Sequence, residues 1–324
     1  MKRFLPFLLV STLFSESTTV ESGVKPCNWQ PKQKRDCWHF TSSLGLGYRF
    51  DRQKFDYKNS RTLNLDNLNS VQTNLSLLFD YDHVLLRFAA DYAWLVAGSC
   101  YSKSLTPLER YSSSPVVGGY TADAQALLSC RVRFLKNSNN CVTFIPGLGL
   151  NYSHMNIVVG GQQFSFTPTT FSAITFTRPL QQDYFGPVVE GKMEFNVGRW
   201  CLDLFWQYMH VGFRQVYSFV QENFSYSMGT LVNGFRSSIH QFDKNNNLRT
   251  QLGGADLSYR SPNQWQIGTH FEGSSSWFKS ARSRSTTKMR DLSVPTAPSS
   301  TLSDQQLAQF WVSYRAHLYA SYWF

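Results

Sequence analysis

The last fourteen residues of the chain, Trp311 to Phe324, alternate between two kinds of side chain. The first set is wholly apolar or aromatic and comprises Val312, Tyr314, Ala316, Leu318, Ala320, Tyr322 and Phe324. The second set mixes aromatic residues with Ser313, Arg315, His317 and Ser321. A period of two residues is typical of a β-strand, because successive side chains point to opposite faces. The chain is therefore predicted to end on a long strand with one apolar face.

This ending resembles the C-terminal strand of bacterial outer-membrane β-barrels, whose final phenylalanine is a recognition mark for the assembly machinery. Phe324 stands at that position here. The resemblance implies an outer-membrane barrel whose C-terminal strand has the barrel-assembly machinery as a partner. A soluble all-β protein is the alternative that strand alternation alone leaves open.

The composition also favours a barrel over a helical membrane protein. No run of about 18 apolar residues, the length that a membrane-spanning helix needs, follows the N-terminus. The mean hydropathy is −0.31, although 16% of the residues are aromatic. This combination is expected when apolar and polar residues alternate along strands that face lipid on one side.

The N-terminus indicates secretion, because Lys2 and Arg3 precede an apolar run that ends at Phe14 and is followed by small residues. We predict a signal peptide at 1–17, a periplasmic tail at 18–37 and the barrel at 38–324. The net charge is +10, from 31 basic and 21 acidic residues. Because secretion separates the chain from nucleic acid, the expected anionic partners are outer-membrane lipid and lipopolysaccharide.

The six cysteines form an even set in an oxidising compartment, which favours disulfides. Disulfide-linked envelope proteins are therefore candidate partners. No Cys or Cys/His spacing of a zinc site occurs, so no metal is predicted, and no cofactor either. Cysteine-bearing barrels of this sort are similar in outline to the major-outer-membrane-protein-like porins of chlamydiae. That likeness implies a porin-like function.

Alternating segments separated by turns predict about ten strands, an even number as in bacterial single-chain barrels. The turns of a few residues alternate with predicted long loops at 95–118, 154–182, 213–247 and 274–309. Short periplasmic turns and long extracellular loops are typical of an all-β, transmembrane, antiparallel up-and-down β-barrel. Further alternating pieces at 154–182 and 213–247 leave twelve strands open.

Charged residues collect on the strand faces that point away from lipid. The predicted pore-lining residues are Arg49, Arg87, Arg131, Arg133, Lys192, Arg315, Glu190, Glu194 and Asp203. A ring of basic groups in a low-dielectric constriction attracts anions, so passive passage of small, preferentially anionic solutes is the predicted function. The alternative is that these charges pair across a narrow lumen and close it. The barrel would then be a surface adhesin or an envelope-structural protein.

An enzyme is the third class of function. Omptin proteases are barrels of about this size with Asp and His groups at the extracellular rim, where we expect His154, Asp183, His210, His240 and Asp243. No spacing matches a defined dyad, so no catalytic residue is assigned and the chain is not predicted to be an enzyme. Outer-wall acyl hydrolases need a Ser beside a His base. The strand phase assigns only His210 to the lipid-facing wall.

A basic segment lies in the last predicted loop and comprises Lys279, Arg282, Arg284, Lys288 and Arg290. It is a candidate polyanion-binding loop for lipopolysaccharide phosphates or a host polyanion. The alternative is a solvated, mobile loop.

Overall fold

The computed structural model describes residues 39–57, 61–81, 83–104, 111–136, 140–167, 170–211, 217–227, 231–242, 248–291 and 299–324. The predicted signal peptide and periplasmic tail lie outside these ranges. Within the ranges, no helix is long and apolar enough to cross a membrane.

The described residues form thirteen β-strands in one antiparallel sheet. The strands are β1 (His39–Tyr57), β2 (Arg61–Tyr81), β3 (Val84–Ser104), β4 (Tyr111–Cys130), β5 (Val132–Lys136), β6 (Asn140–Thr167), β7 (Thr170–Val197), β8 (Trp200–Val211), β9 (Tyr217–Ser227), β10 (Leu231–Phe242), β11 (Leu248–Arg260), β12 (Trp265–Asp291) and β13 (Ser299–Trp323).

Ten places around the circumference, each occupied by one strand or by two consecutive strands, close the sheet into a barrel. We call each of these places a wall position. The C-terminal strand β13 pairs with β1 on one side and with β12 on the other. The strands β4 and β5 are two halves of one wall position, interrupted at Arg131, whose backbone N–H donates a hydrogen bond to the carbonyl of His83 at 2.7 Å. Phe324 closes the seam, because its N–H donates to the carbonyl of Phe40 at 2.9 Å. The predicted all-β, ten-stranded antiparallel barrel is confirmed.

Toward the short-turn end the outer wall is apolar and the inner wall is largely polar, as the alternation predicts. Leu44, Leu148 and Leu318 on the outside are each about two-thirds exposed, whereas Arg49 and Gln53 on the inside are fully buried. Inward glycines make room for large neighbours across the strand pairs. A Cβ on Gly47 would lie 2.2 Å from the carbonyl oxygen of Ala316.

The prediction of long loops is wrong for much of the chain, because strands continue through most of 95–118, 154–182 and 274–309. The strands β6 and β7 have 28 residues each, whereas about 9–11 residues of a tilted strand cross a membrane. We call the two ends of the barrel the short-turn end, which carries the turn at Gly198, and the long-strand end.

The hairpin of β9 and β10 belongs to the long-strand end only. The strand β10 pairs with the distal part of β12, from Gly234 opposite Asp291 to Phe242 opposite Ser283. The two strands that the twelve-strand alternative allowed therefore exist, but they extend the wall beyond the membrane-crossing part instead of enlarging its circumference.

Candidate functional site

Ion pairs line the lumen near the short-turn end. Arg131 binds Asp80 through both terminal nitrogens, at 3.3 and 2.9 Å. The Nζ atom of Lys192 lies 2.8 Å from Oδ2 of Asp203. Two further partners, Arg260 and Glu194, are 3.3 Å apart and are both largely buried.

Arg315 is the centre of the next layer. Its guanidinium lies 2.7 Å from Asp123, 3.4 Å from Asp91 and 3.3 Å from Glu272. Asp123 also receives a hydrogen bond from Nη1 of Arg49 at 2.6 Å. These residues come from different parts of the wall, so the network crosses the lumen instead of running along it.

A second bridge at this level joins Arg87 to Glu190 at 2.6 Å. The amide of Gln207 donates to the same carboxylate oxygen at 2.5 Å and exchanges hydrogen bonds with Gln125. Three hydrogen-bonding side chains therefore converge from β3, β7 and β8, and Gln125 adds a fourth from β4.

His270 occupies the lumen between two carboxylates, with Nδ1 3.4 Å from Asp256 and Nε2 3.5 Å from Glu272. Its ring stacks on that of His317 with centroids 4.4 Å apart. The hydroxyl of Tyr319 donates to Asp256 on the far side. His270 therefore has a carboxylate beside each ring nitrogen, and His317 packs against its ring.

An apolar cluster, which we call the cap, fills the lumen above the charges toward the long-strand end. Its members are Phe55, Leu65, Leu68, Cys100, Val116, Met155, Ile157, Val159, Tyr184, Leu248 and Trp311. Trp311 joins the cap to the charges, because its Nε1 donates to Asp51 at 2.9 Å and the centroid of its ring lies 5.6 Å from the Arg49 guanidinium carbon. Ionic layers and an apolar layer thus follow one another along the described lumen.

The residues predicted to line a pore are thereby located. Arg49, Arg87, Arg131, Lys192, Arg315, Glu190, Glu194 and Asp203 take part in the luminal network. Arg133 is instead exposed at the short-turn end, next to the interruption between β4 and β5. Their predicted role in anion selectivity stays a prediction.

The luminal network contains more acidic than basic residues. Its carboxylates are Asp51, Asp80, Asp91, Asp123, Glu190, Glu194, Asp203, Asp256 and Glu272. Its permanently cationic groups are Arg49, Arg87, Arg131, Lys192, Arg260 and Arg315. The alternation along the strands could have identified Asp51 and Trp311 as inward. Only the three-dimensional structure shows that the Trp311 indole donates a hydrogen bond to the Asp51 carboxylate.

The sequence analysis missed a polar cluster on the outer wall. Nδ1 of His154 lies 2.8 Å from Oδ1 of Asp183, and the Tyr152 hydroxyl donates to the same oxygen at 2.7 Å. The Tyr120 hydroxyl lies 3.3 Å from Nε2 of His154. The assignment of only His210 to the lipid-facing wall is therefore wrong. His154 is in phase with the outward Tyr152, so the alternation could have placed it correctly.

Of the other rim residues considered for catalysis, His210 is the one whose side chain belongs to the described part of the chain. His210 lies in β8, opposite Arg249 of β11. His240 lies in β10, but its side chain lies outside the described residues, as does all of Asp243. The only such His–Asp pair placed by the structure, His154 and Asp183, faces outward and does not line the mouth of the lumen.

Glu194, Cys201 and Asp203 bring potential metal ligands within 4.8 Å of one another. Each carboxylate already has a cationic partner, Arg260 on Glu194 and Lys192 on Asp203. These side chains supply the positive charge that a metal ion would bring.

Within the described residues, Cys130, Cys141 and Cys201 form no disulfide with one another. The predicted disulfide link to envelope proteins stays a prediction. Cys27 and Cys37 lie outside the described residues, as do the side chains of the basic segment Lys279, Arg282, Arg284, Lys288 and Arg290. The backbone of that segment belongs to β12, so the prediction of a loop is wrong.

No family model matches the chain, and no curated protein matches it in sequence. Among solved structures, the chain is similar to the outer membrane protease OmpT from Escherichia coli, with a TM-score of 0.58, 12% identity, and coverage of 88% of this chain and 97% of that one. The chain has the fold of an outer-membrane β-barrel. At this identity the likeness shows the fold alone.

Two more matches have lower TM-scores. The outer membrane protein OprG from Pseudomonas aeruginosa is 8% identical with a TM-score of 0.32, covering 89% of this chain and 97% of that one. The toluene transporter TodX from Pseudomonas putida is 11% identical with a TM-score of 0.34, covering 91% of each chain.

The closed barrel with its apolar outer wall confirms the predicted location in the bacterial outer membrane. In this orientation the short-turn end is periplasmic and the long-strand end is extracellular.

Proposed function

We propose that the protein is a closed-lumen surface barrel, whose membrane part is an anchor and whose extracellular strands present a binding surface for adhesion or envelope structure. The contacts between side chains across the lumen carry this proposal. From Arg131 and Asp80 at the periplasmic end to Phe55 in the cap, inward side chains bond or pack against one another in every described layer.

The energetics of the network favour a lumen that stays closed. Opening a path through the central layer would separate Arg315 from its carboxylate partners. Breaking a buried ion pair by removing one partner typically costs about 3–5 kcal/mol, because the other charge is left buried without compensation. A path would also have to disrupt the cap, whose side chains Leu65, Met155 and Ile157 are fully buried.

The extracellular extension supports the binding part of the proposal. The strands β6, β7, β12 and β13 each have 25–28 residues and continue far beyond the length that a membrane requires. Four basic residues occupy alternate positions of β12, at 282, 284, 288 and 290. A segment with this density of positive charge fits a polyanionic ligand such as a phosphorylated or sulfated polysaccharide.

The anion-preferring porin is the competing function, and one experiment distinguishes the two. The refolded mature protein is inserted in a planar bilayer, with its folding checked by heat-dependent gel mobility, and current is measured across a salt gradient. The closed barrel predicts no conductance steps. Steady steps with an anion-selective reversal potential would overturn it, and the pair Arg131→Glu with Arg133→Glu would then be expected to lower that preference.

The binding surface is tested by adsorption of the barrel in lipid nanodiscs to an immobilised sulfated polysaccharide. Replacing Arg282, Arg284 and Lys288 by Glu should abolish binding, and rising salt should weaken that of the unaltered protein. The matched control replaces Lys32, Lys34 and Arg35 of the predicted periplasmic tail by Glu. Equal effects of the two triple variants would contradict a specific surface on β12.

The omptin-like protease is a minor alternative, since the likeness to OmpT concerns the fold alone. It requires a His–Asp dyad beside a groove that a peptide can enter. Incubation of the folded barrel with a mixed peptide library, read by mass spectrometry, tests it. Cleavage that disappears in His240→Ala would replace the adhesin proposal by the protease.

A further inference from the structure

The polar cluster of Tyr120, His154, Asp183 and Tyr152 lies on a surface that the fold directs toward lipid. His154 is directly opposite Asp183 in the pairing of β6 with β7, and opposite Ala122 in the pairing of β6 with β4. All four side chains are only partly exposed. Three hydrogen bonds join them in one chain, from Tyr120 through His154 and Asp183 to Tyr152.

The cluster stands at the level of the lipid headgroups. The outward positions of β3, β4, β6 and β7 below it are apolar down to the periplasmic turns. The aromatic rings of Tyr92 and Trp94 lie beside it near the outer end of the apolar belt, which ends beyond them with the exposed Val96 and Val117. The rings of Tyr92 and Tyr120 stack at 5.4 Å, and those of Tyr92 and Trp94 lie 4.6 Å apart. Aromatic girdles mark the interface between membrane and water in such barrels.

An apolar groove of about 350 Å³ descends the outer wall directly beneath the cluster. Its floor is formed by Ala90, Ala124 and Ala126, and its sides by larger residues of the neighbouring strands, including Phe88 and Leu150. Tyr152 belongs to both features, because its ring lines the groove while its hydroxyl binds Asp183. Groove and cluster are thus continuous along the direction of a lipid chain and its headgroup.

We propose that this wall holds a binding site for an acylated glycolipid of the outer leaflet, with one acyl chain in the groove and a sugar hydroxyl group at the cluster. The lipid environment supplies the acyl chain. The cluster supplies hydrogen-bonding partners for the headgroup at the depth where the acyl chain ends.

The chemistry of the cluster selects a hydroxyl-rich headgroup over a phosphate. Outward positions of β3, β4, β6 and β7 between residues 86–94, 120–128, 148–158 and 181–189 include no Lys or Arg. The Asp183 carboxylate would repel a phosphate but accepts hydrogen bonds from hydroxyl groups. The buried Oδ1 atom of Asn156, opposite Tyr120, has no partner within the described residues and is a further acceptor. The exposed ring of Trp94 adds an aromatic surface for a sugar ring.

Native mass spectrometry tests the site on barrels released from nanodiscs. The discs contain equal amounts of a monoglucosyl diacylglycerol and a phosphatidylglycerol with identical acyl chains. The unaltered barrel should retain the glucosyl lipid at least about tenfold more than the phospholipid, the factor expected for one charge-assisted hydrogen bond.

Two variants separate the groove from the cluster. Ala124→Trp fills the groove and should lower retention of both lipids to the level expected for a part of the outer wall that has no groove. Asp183→Asn with His154→Ala should remove the preference for sugar while some acyl retention persists. The matched control is Ala255→Trp, an outward alanine of β11 on a distant part of the wall, which should retain the glucosyl lipid like the unaltered barrel.

Each contrary result overturns a stated part of the proposal. Equal retention by Ala124→Trp and Ala255→Trp, with both barrels folded by gel mobility, would overturn the acyl groove. Equal retention of the two lipids by the unaltered barrel would overturn the headgroup assignment. The closed lumen proposed above is not involved in either result.

Discussion

The guanidinium of Arg315 lies 2.7 Å from the carboxylate of Asp123, although the two residues are 192 positions apart in the sequence. Arg315 belongs to β13 and Asp123 to β4, and β1, β2 and β3 separate these strands in the wall. Their contact therefore crosses the interior of the barrel. It is the shortest of the three ion pairs by which Arg315 joins Asp91, Asp123 and Glu272.

We expect Arg315→Ala to destabilise the barrel by about 3–5 kcal/mol, because three buried carboxylates lose a shared cationic partner. The measurement is the free energy of unfolding from urea titration in lipid vesicles. The control is Arg52→Ala, which removes a 2.6 Å ion pair to Asp66 from an arginine side chain that is 67% exposed. Exposed pairs contribute about 0–1 kcal/mol. Equal losses in the two variants would contradict a central role for the luminal network.

The inward glycines give a second stability test. A Cβ on Gly47 would lie 2.2 Å from the Ala316 carbonyl oxygen and 2.3 Å from Cβ of His317, so Gly47→Ala should cost about 1–3 kcal/mol. At Gly118 a Cβ would meet no atom within 4 Å, so Gly118→Ala should be neutral or stabilise by up to about 1 kcal/mol. The same urea titration measures both. A neutral Gly47→Ala would mean that β1 and β13 are packed less closely than this register implies.

The cap can be weakened while the charges beneath it remain. Trp311→Ala removes the hydrogen bond to Asp51 and the ring that packs 5.8 Å from Tyr184, and truncation of a buried Trp typically costs about 3–5 kcal/mol. Planar-bilayer recording should nevertheless show no steps, because the layer around Arg315 still crosses the lumen. Conductance in this single variant would show that the cap alone closes the barrel.

Most of what the sequence could predict about the fold came from the alternation of outward and inward residues along each strand. Lipid on one side forces apolar residues outward, so the alternation from Val312 to Phe324 reports the geometry of the wall directly. Beyond the membrane this constraint ends, because both faces of a strand can be polar. The outer halves of β6, β7 and β12 consequently resembled loops in the sequence.

The content of the lumen could be predicted only in part. The period of two shows that Arg49, Asp123 and Arg315 point inward, but their heights in the barrel depend on the register of every strand pair between them. The sequence therefore allowed both a charged pore and a paired, filled lumen. The outer-wall cluster was missed for a different reason, because His154 fell within a segment interpreted as a loop and Asp183 directly followed that segment.

Cysteine chemistry reports on both sides of the wall. Cys130 is exposed on the outer face near the periplasmic end, whereas Cys201, which is 2% exposed, lies at the luminal floor beside Asp203. In a Cys27→Ser, Cys37→Ser background in detergent, a small water-soluble maleimide should modify one thiol per folded chain, as read by intact mass. Adding Cys130→Ser should remove that modification.

The same labelling tests the closed lumen without an electrical measurement. Cys100 and Cys141 are also buried, so modification beyond Cys130 requires either unfolding or water in the interior. Peptide mapping identifies the site, and heat-dependent gel mobility identifies unfolded chains. Rapid modification of Cys201 in folded barrels would require a water-filled path through the lumen to this thiol. That result would favour the porin over the closed barrel. Protection of Cys201 until the barrel melts would require that the ion pairs around Lys192 and Arg260 exclude the reagent.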